Sequence, residues 1–318
     1  MKFLRTLAVY AILLPTVLLS LLPLCVHHVL ARFVAWLLGP VLKYRLPVVR
    51  TNLSKAFPDL PDSEVESLAK GYYLHIADII CETVWSLTRS YAHIKKKGVC
   101  SVENGAVVND MFTRHGSVVV LLGHTGNWEL LPGLPVYSDE AEYGYDNVMS
   151  AYHTMSSPLS EELFLRLRSF HQFKQKNLVP SGGFLRYALE HKDDPRVYFF
   201  IADQCPEGKG SVETEFLGLK TEWVAGAEAI ARKTGMPVAY IGINKKARSR
   251  YVISCEAICE DPAGTQPGDI TKSFAAKLER DILADKLNWL WSHKRWKNLP
   301  IYDKNKHFHT IDSDSLHL

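Results

Sequence analysis

The chain has 318 residues, of which 47% are hydrophobic and 22% charged, a balance that excludes an intrinsically disordered protein. Its length suits one large α/β domain with an anchor, or two small domains. The formal net charge of +3 is too small to indicate nucleic-acid binding by itself. The cysteines form no CxxC pair and no zinc spacing with histidine, so we expect reduced thiols rather than a disulfide framework.

The first part of the chain is strongly apolar. No charged residue occurs between Thr6 and Ala31, and Leu7 to Leu24 is almost wholly apolar. About 20 apolar residues span a bilayer core as a helix, so we expect a retained anchor or a monotopic insertion, kinked at Pro15 and Pro23. A cleaved signal peptide or a buried core helix are the alternatives, although no A-x-A cleavage site follows. Basic residues flank both ends and give no firm orientation.

A second apolar stretch, Phe33 to Leu42, is expected to lie in the membrane interface beside the first. Its Gly39-Pro40 pair argues against a second full crossing. We therefore predict a membrane anchor over residues 1–45, an α/β domain over 46–302 and a polar, disordered tail over 303–318.

Beyond the anchor, short β-branched runs alternate with helical patterns. Residues 46–105 are predicted to be helical, with Asp62 or Ser63 as the cap of a helix reaching Ile76. Further helices are predicted at Pro158 to Phe173, Val224 to Thr234 and Thr271 to Trp291. Strands are predicted at Ser117 to Gly123, Val197 to Ala202, Pro237 to Ile243 and Tyr251 to Cys255. This alternation predicts an α/β fold: a mixed, mostly parallel sheet flanked by helices, with an N-terminal membrane-anchoring helix.

The strongest chemical motif follows the first of these strands directly. Residues 123–129 read GHTGNWE, and the carboxyl ends of strands are where α/β sheets bind ligands. His124 and Glu129 would lie about 140° apart on an ideal helix, so they can meet only if His124 lies in a turn and Glu129 in the first turn of the next helix. Gly126 makes such a turn easy, and Asn127 is a suitable N-cap.

This motif suits general-base chemistry. An imidazole takes a proton from an attacking hydroxyl, and a carboxylate on its other nitrogen fixes the tautomer. We predict His124 as the base and Glu129 as its partner. No GxSxG motif is present, so the substrate's own hydroxyl would attack. The alternative is a strand-end histidine with a structural hydrogen bond.

Two further groups of polar residues bear on a site. Asp203 follows a buried strand, where it either lines the same mouth as His124 or caps a loop. Arg166 and Arg168 lie on a predicted helix. The segment 289–297, WLWSHKRWK, interleaves aromatic and cationic residues, which suits a membrane interface or a phosphorylated headgroup, unless it is a solvated helix end with tryptophans in the core.

Taken together, these motifs resemble the lipid A late acyltransferases, which add acyl chains to a lipid A precursor. The similar segments run from about residue 46 to residue 298. They are VRTNL with AFP at 49–58, GHTGNWEL at 123–130, LRLRSF around Arg168, ADQ at 202–204, FLG with GMPV at 216–238, and WLWSHKRWK at 289–297.

The resemblance implies acyl-carrier protein as the acyl donor, a lipid acceptor in the membrane, no metal or other cofactor, and an active site on the cytoplasmic face of the bacterial inner membrane. It makes His124 and Glu129 the catalytic pair. Arg168, Asp203, Asn127 and Gly126 become candidate substrate-binding or transition-state residues, with Arg168 or a backbone amide near Gly126 steadying the oxyanion. No nucleic-acid partner is expected.

Several functions stay open at this level. The acceptor can be a lipid A hydroxyl, or a lysophospholipid, an aminoacyl lipid or a glycolipid. A lipid hydrolase that uses water, and a non-catalytic lipid-binding membrane protein, are the rivals from other classes.

Overall fold

Seven strands form one mixed sheet in the computed structural model, which describes residues 2–170, 174–206 and 211–302. The strands of this sheet are β1 Cys100–Glu103, β2 Ser117–Leu122, β3 Val148–Tyr152, β4 Leu178–Pro180, β5 Arg196–Ile201, β8 Val238–Ala247 and β9 Arg250–Cys259. A separate two-stranded sheet consists of β6 Ser211–Phe216 and β7 Leu219–Val224. The helices are α1 Lys2–Ser20, α2 Leu24–Trp36, α3 Leu46–Ala56, α4 Asp62–Ser86, α5 Tyr91–Lys96, α6 Ala106–His115, α7 Leu134–Tyr137, α8 Pro158–Arg168, α9 Phe184–Glu190, α10 Gly226–Thr234 and α11 Asp269–Ala284.

The sheet has the strand order β1-β9-β8-β2-β5-β3-β4. Its pairs are parallel except for the β8–β9 hairpin. All six residues of β2 are buried, because helices cover both faces of the sheet at its centre. The predicted fold class, a mostly parallel sheet flanked by helices with an apolar N-terminal segment, is confirmed.

The predicted strands and helices are present, with shifted ends. The helix predicted to begin at Val224 begins at Gly226, and Gly235 ends it with a φ of 74°, a conformation that glycine adopts readily. The helix predicted from Pro158 ends at Arg168, and residues 171–173 of that prediction lie outside the described residues. The sequence analysis missed the short strands β1, β3 and β4, and the β6–β7 hairpin that turns at Leu217 and Gly218.

The N-terminal segment forms two helices rather than the single one expected over residues 7–24. The chain breaks at residues 21–23, because Pro23 has no N–H to continue the helix, and α2 starts directly after it. From Leu24 the helix continues through Gly39-Pro40 as a π-helical turn, so Leu24–Val41 is the one helical run in the described part of the chain that is long and apolar enough to cross a bilayer. The run Leu4–Ser20 is apolar but shorter.

These two helices pack on the α/β core through α4 and α8. Among the closest contacts, Arg5 pairs with Glu162 of α8 at 2.9 Å, and Ala31 packs on Ala77 and Cys81 of α4. Large apolar side chains on their outer sides stay exposed, including Leu4, Leu7, Leu14, Leu18, Val29 and Phe33.

The C-terminal part departs most from expectation. The helix predicted over Thr271 to Trp291 ends at Ala284, and the chain then runs back across the sheet edge. There Trp289 forms a β-bridge with Thr125. The predicted tail, 303–318, lies outside the described residues.

Candidate active site

His124 and Asp203 meet because their strands are in register. Strands β2 and β5 are parallel neighbours, and Leu122 lies opposite Ile201. The residues two positions beyond each strand end therefore arrive side by side at the carboxyl edge of the sheet, where ligands bind in such folds. The Nδ1 atom of His124 lies 2.6 Å from Oδ1 of Asp203.

Asp203 is the most heavily bonded carboxylate of this edge. Its Oδ2 accepts the backbone N–H of His124 at 2.8 Å and the indole N–H of Trp289 at 2.7 Å. Burial by itself would raise the pKa of Asp203, but the charge of His124 and these hydrogen bonds outweigh it and lower that pKa to about 2. Asp203 is therefore ionised at neutral pH and accepts a hydrogen bond from Nδ1 of His124. In the neutral imidazole this favours the tautomer with the proton on Nδ1 and a lone pair on Nε2.

The second ring nitrogen of His124, Nε2, lies on the side of the imidazole away from Asp203. Its side chain is 13% exposed, and the amide Nε2 of Gln204 approaches the imidazole Nε2 at 3.5 Å. The ring of Trp128 meets the imidazole edge-on, with the two ring centroids 5.0 Å apart. Nε2 therefore faces Gln204, while Asp203 holds the opposite side of the ring.

Glu129 does not take the place expected for it. In the described residues the carboxylate at Nδ1 of His124 is Asp203, and Glu129 instead bonds both Nε and Nη2 of Arg168, the former at 3.0 Å. The reason is local: Glu129 lies in the first turn of the 3-10 helix Trp128–Gly133, as predicted, but that turn directs it towards α8. The indole N–H of Trp128 also donates to Glu129 at 3.2 Å, so Trp128 contacts both pairs.

The turn that links the His124–Asp203 pair to the Glu129–Arg168 pair is held by residues from other segments of the chain. Gly126 has a φ of +55°, and a Cβ there would lie 2.5 Å from Ile243, so glycine suits both the conformation and the space. Its N–H donates to Oδ1 of Asn288 at 3.0 Å, so the Gly126 amide already has an acceptor. Asn127 occupies the N-cap position, but its side chain makes no cap and instead donates to Glu82 at 3.0 Å.

Glu82 is a site-supporting residue that the sequence analysis missed. It is 1% exposed and also accepts hydrogen bonds from Ser249 at 2.6 Å and Tyr251 at 2.7 Å. Burial raises its pKa, and these hydrogen bonds oppose the shift. An isolated acidic residue within a helical pattern gives no sequence signal for this role, because its partners come from distant segments.

The segment 289–297 is part of the core rather than a membrane-facing surface. Its three tryptophans are at most 2% exposed, which agrees with the alternative of core tryptophans and not with the interface expected first. Arg295 is also buried, with its guanidinium 4.4 Å from the ring centroid of Trp223, and burial lowers its pKa to about 10. Burial likewise lowers the pKa of His293 to about 4, so its Nε2 accepts the backbone N–H of Cys205. Through the hydrogen bond from Trp289, this segment holds the carboxylate of Asp203 in place.

An apolar cavity of about 400 Å³ opens beside Glu129 and Arg168. That volume is typical of a small-molecule site. Its walls come from α4, the 3-10 helix, α8 and strands β3 and β5, with mainly aliphatic and aromatic side chains such as Ile76, Ile80, Leu131, Ala151, Phe164 and Leu167. The only charged side chains on the described wall are Glu129, Arg168 and Arg89.

The comparison with known proteins points in one direction. A family model described as "Bacterial lipid A biosynthesis acyltransferase" matches residues 1–298 of the chain. No curated protein sequence matches significantly.

Proposed function

The chain belongs to the bacterial lipid A biosynthesis acyltransferase family, and from that premise we propose that it moves a fatty-acyl chain from acyl-carrier protein to a hydroxyl of a lipid A precursor, with His124 as general base. The observation that carries the proposal is the contact of His124 with Asp203 beside an apolar cavity. The site would lie on the cytoplasmic face of the inner membrane, held there by the apolar helices α1 and α2.

The reaction follows from the two nitrogens of His124. Asp203 holds the proton on Nδ1, so Nε2 takes the proton of the acceptor hydroxyl as its oxygen attacks the thioester carbonyl carbon. The tetrahedral intermediate then collapses, the C–S bond breaks, and the thiolate receives the same proton from Nε2. No protein nucleophile is needed, in keeping with the absence of GxSxG from the sequence.

Arg168 is the group that we assign to the negative charge of the tetrahedral oxygen. Glu129 holds the guanidinium by Nε and Nη2, which leaves Nη1 without a hydrogen bond to any described residue. The Gly126 amide already donates to Asn288, so we assign this role to Arg168 rather than to that amide. In this proposal Glu129 acts by positioning Arg168.

The apolar cavity suits the acyl chain. It begins at the Glu129–Arg168 pair, and Trp128 contacts both this cavity and His124. An acyl chain in the cavity would therefore bring its thioester towards the imidazole. An acyl chain has no polar groups along its length, so the shape of the cavity wall sets the preferred chain length. Each methylene contributes only about 1–3 kcal/mol to this discrimination.

The test is a transfer assay with the purified full-length chain, several acyl-carrier-protein thioesters and a lipid A precursor, read by mass spectrometry of the acceptor. The variant is His124→Ala, and the matched control is His115→Ala, an exposed histidine before the opposite end of β2. We expect His124→Ala to lose turnover by about 10²–10⁴-fold and the control to keep it.

Other outcomes separate the rivals. Full turnover by a folded His124→Ala protein would overturn the mechanism. Free fatty acid without acceptor product would indicate a hydrolase, and an acylated lysophospholipid with unmodified lipid A precursor would assign another acceptor. No consumption of any thioester would indicate a binding protein.

A further inference from the structure

A second cavity, of about 370 Å³, lies outside the acyl site. It forms where the start of α2, the end of α4, α5 and the β8–β9 turn meet. Its described lining consists of Pro23, Leu24, His28, Trp85, Arg89, His93, Lys97, Val99, Arg248, Ser249 and Arg250. The sequence analysis assigned these residues no role.

The lining is strongly cationic. It contains four arginine or lysine side chains and two histidines, and no aspartate or glutamate among the described lining residues. Lys97 is exposed, and its ammonium has no ionic or hydrogen-bond partner among the described residues. Arg250 donates Nη1 to the backbone carbonyl of Lys97, which adds no negative charge. The charges of Lys97 and Arg250 are therefore not balanced by any acid among the described lining residues.

The acidic side chains next to this cavity, Asp78 and Glu82, already have partners. Asp78 pairs with Arg248 and with Lys245, and so neutralises the inner arginine only. Glu82 accepts the hydroxyl of Ser249, whose oxygen also lies 2.7 Å from Nε2 of His28. The inner wall is thus a set of fixed polar groups, whereas Lys97 and Arg250 remain available to an incoming anion.

The cavity also borders the apolar N-terminal surface. Leu21 and Leu22, in the turn between α1 and α2, are exposed at 59% and 39%. Arg89 holds this turn by donating to the carbonyls of Ser20, Leu21 and Leu22, and it also lines the cavity. A cationic recess next to exposed leucines matches a lipid whose headgroup is an anion and whose tails are apolar.

We propose that this cavity binds a phosphate group, separately from the acyl-transfer site, with Lys97 and Arg250 as its principal cationic contacts. The phosphate can come from the headgroup of a membrane lipid or from a free anion, since both offer the same charge and acceptor oxygens. The two cavities share Arg89 as a wall residue, but His124, Asp203, Glu129 and Arg168 do not line this one, so the proposal does not depend on the transfer reaction.

The test measures binding to the full-length chain in neutral detergent by native mass spectrometry. The probes are short-chain phosphatidylglycerol, short-chain phosphatidylcholine and inorganic phosphate. The variant is the double substitution Lys97→Gln with Arg250→Gln. The matched control, Lys96→Gln with Lys246→Gln, removes the same charge from exposed lysines outside the cavity.

We expect one phosphatidylglycerol per chain for the wild type and the control, and binding weaker by about 30-fold in the cavity variant. Lys97→Gln alone, a change at an exposed position, should weaken binding by about fivefold and keeps the test valid if the double variant folds poorly. Binding of phosphatidylglycerol without binding of inorganic phosphate identifies a lipid-headgroup site. Binding of inorganic phosphate as tight as that of phosphatidylglycerol identifies a free-anion site.

Three results would overturn the proposal. The first is unchanged phosphatidylglycerol and phosphate binding in the cavity variant. The second is an equal loss in the control, which would indicate general surface electrostatics. The third is binding of phosphatidylcholine as tight as that of phosphatidylglycerol and insensitive to both variants, which would indicate apolar contact alone.

Discussion

Asp203 accepts hydrogen bonds from both the backbone amide and the imidazole Nδ1 of His124, at 2.8 and 2.6 Å. The two bonds fix the position of the residue and the orientation of its ring together. The indole N–H of Trp289 donates a third hydrogen bond to the same carboxylate. The base and the carboxylate that orients it therefore come from two adjacent parallel strands, β2 and β5, and not from one contiguous motif.

Asp203→Asn should separate orientation from folding. The amide nitrogen can donate to Nδ1, which favours the wrong tautomer and places the proton on Nε2. We expect turnover to fall by about 10²–10⁴-fold with little change in KM, measured by acyl transfer. The control is Asp194→Asn, an exposed aspartate before β5 that should keep turnover. Turnover within twofold of the wild type in Asp203→Asn would contradict the assigned role.

Ionisation of Asp203 should make the stability of the folded protein depend on pH in the acidic range. Its lowered pKa of about 2 means that it stabilises the fold fully above the ordinary aspartate pKa near 4, and that this contribution is lost as the pH falls towards 2. Asp203→Asn lacks this contribution. The gap in melting temperature between the wild type and the variant should therefore narrow from about pH 4 to pH 2. A constant gap across this range would show that the carboxylate is not held ionised.

The Glu129–Arg168 pair should matter for rate and little for stability. The pair is partly exposed, with side-chain exposures of 22% and 28%, and such pairs contribute little to folding. Lysine keeps the charge of Arg168 but cannot make two parallel bonds to a carboxylate. We expect Arg168→Lys to lower kcat by about tenfold with an unchanged melting temperature.

Arg166→Lys is the matched control, because Arg166 bonds Glu162 and Tyr10 and lies outside the described lining of the apolar cavity. Equal losses in both variants would indicate a general effect on α8. A large fall in melting temperature for Arg168→Lys alone would assign the pair a structural role.

The part of the site that is local in sequence could be predicted. A β-branched run followed by glycine indicated a strand and a turn. The structure places His124 after the strand and Glu129 in the first turn of the next helix, as predicted, but the two side chains do not pair. The partners of these two residues could not be predicted. The His124–Asp203 contact depends on the pairing of Leu122 with Ile201, and the Arg168–Glu129 contact depends on where α8 docks. Both are non-local, and neither leaves a periodic signal.

The same distinction applies to the fold. Strands with a clear apolar run, such as β2 and the first half of β8, were predicted, whereas β4, with three residues, is too short to show a pattern. The helix α11 was predicted too long because residues 285–291 contain no helix-breaking proline or glycine. Tertiary contacts end it: Asn288 bonds Gly126 and Ile243, which draws the chain into the sheet edge.

The size of the apolar cavity should set the acyl length. Ala151 lines the cavity on β3, and leucine there would occupy part of its volume. We expect Ala151→Leu to shift preference towards donors shorter by two or more methylenes, by about tenfold in relative kcat/KM, because each methylene contributes about 1–3 kcal/mol. Competition between acyl-carrier-protein thioesters of different length measures this. Ala247→Leu, at an exposed position of β8, is the control. An unchanged preference would place the acyl chain elsewhere.

Glu82 should hold the catalytic turn through Asn127. Three donors converge on its carboxylate, from Asn127, Ser249 and Tyr251. The amide in Glu82→Gln has one oxygen and would direct its own donors at one of these groups, which costs about 1–3 kcal/mol. We expect a lower melting temperature and a lower kcat with KM little changed, because the turn between His124 and Glu129 loses its anchor.

The pH dependence of this loss has a definite sign. Burial raises the pKa of Glu82, so the folded state binds the proton on this carboxyl more tightly than the unfolded state does. The protonated carboxyl therefore stabilises the folded protein at low pH, and this contribution is lost as the pH rises above the ordinary glutamate pKa of about 4.3. The stability difference between the wild type and Glu82→Gln should thus shrink as the pH rises. Glu66→Gln, in a half-exposed pair with Arg50, is the control and should change stability by less than about 1 kcal/mol. A difference that grows with pH would show that Glu82 is held ionised instead.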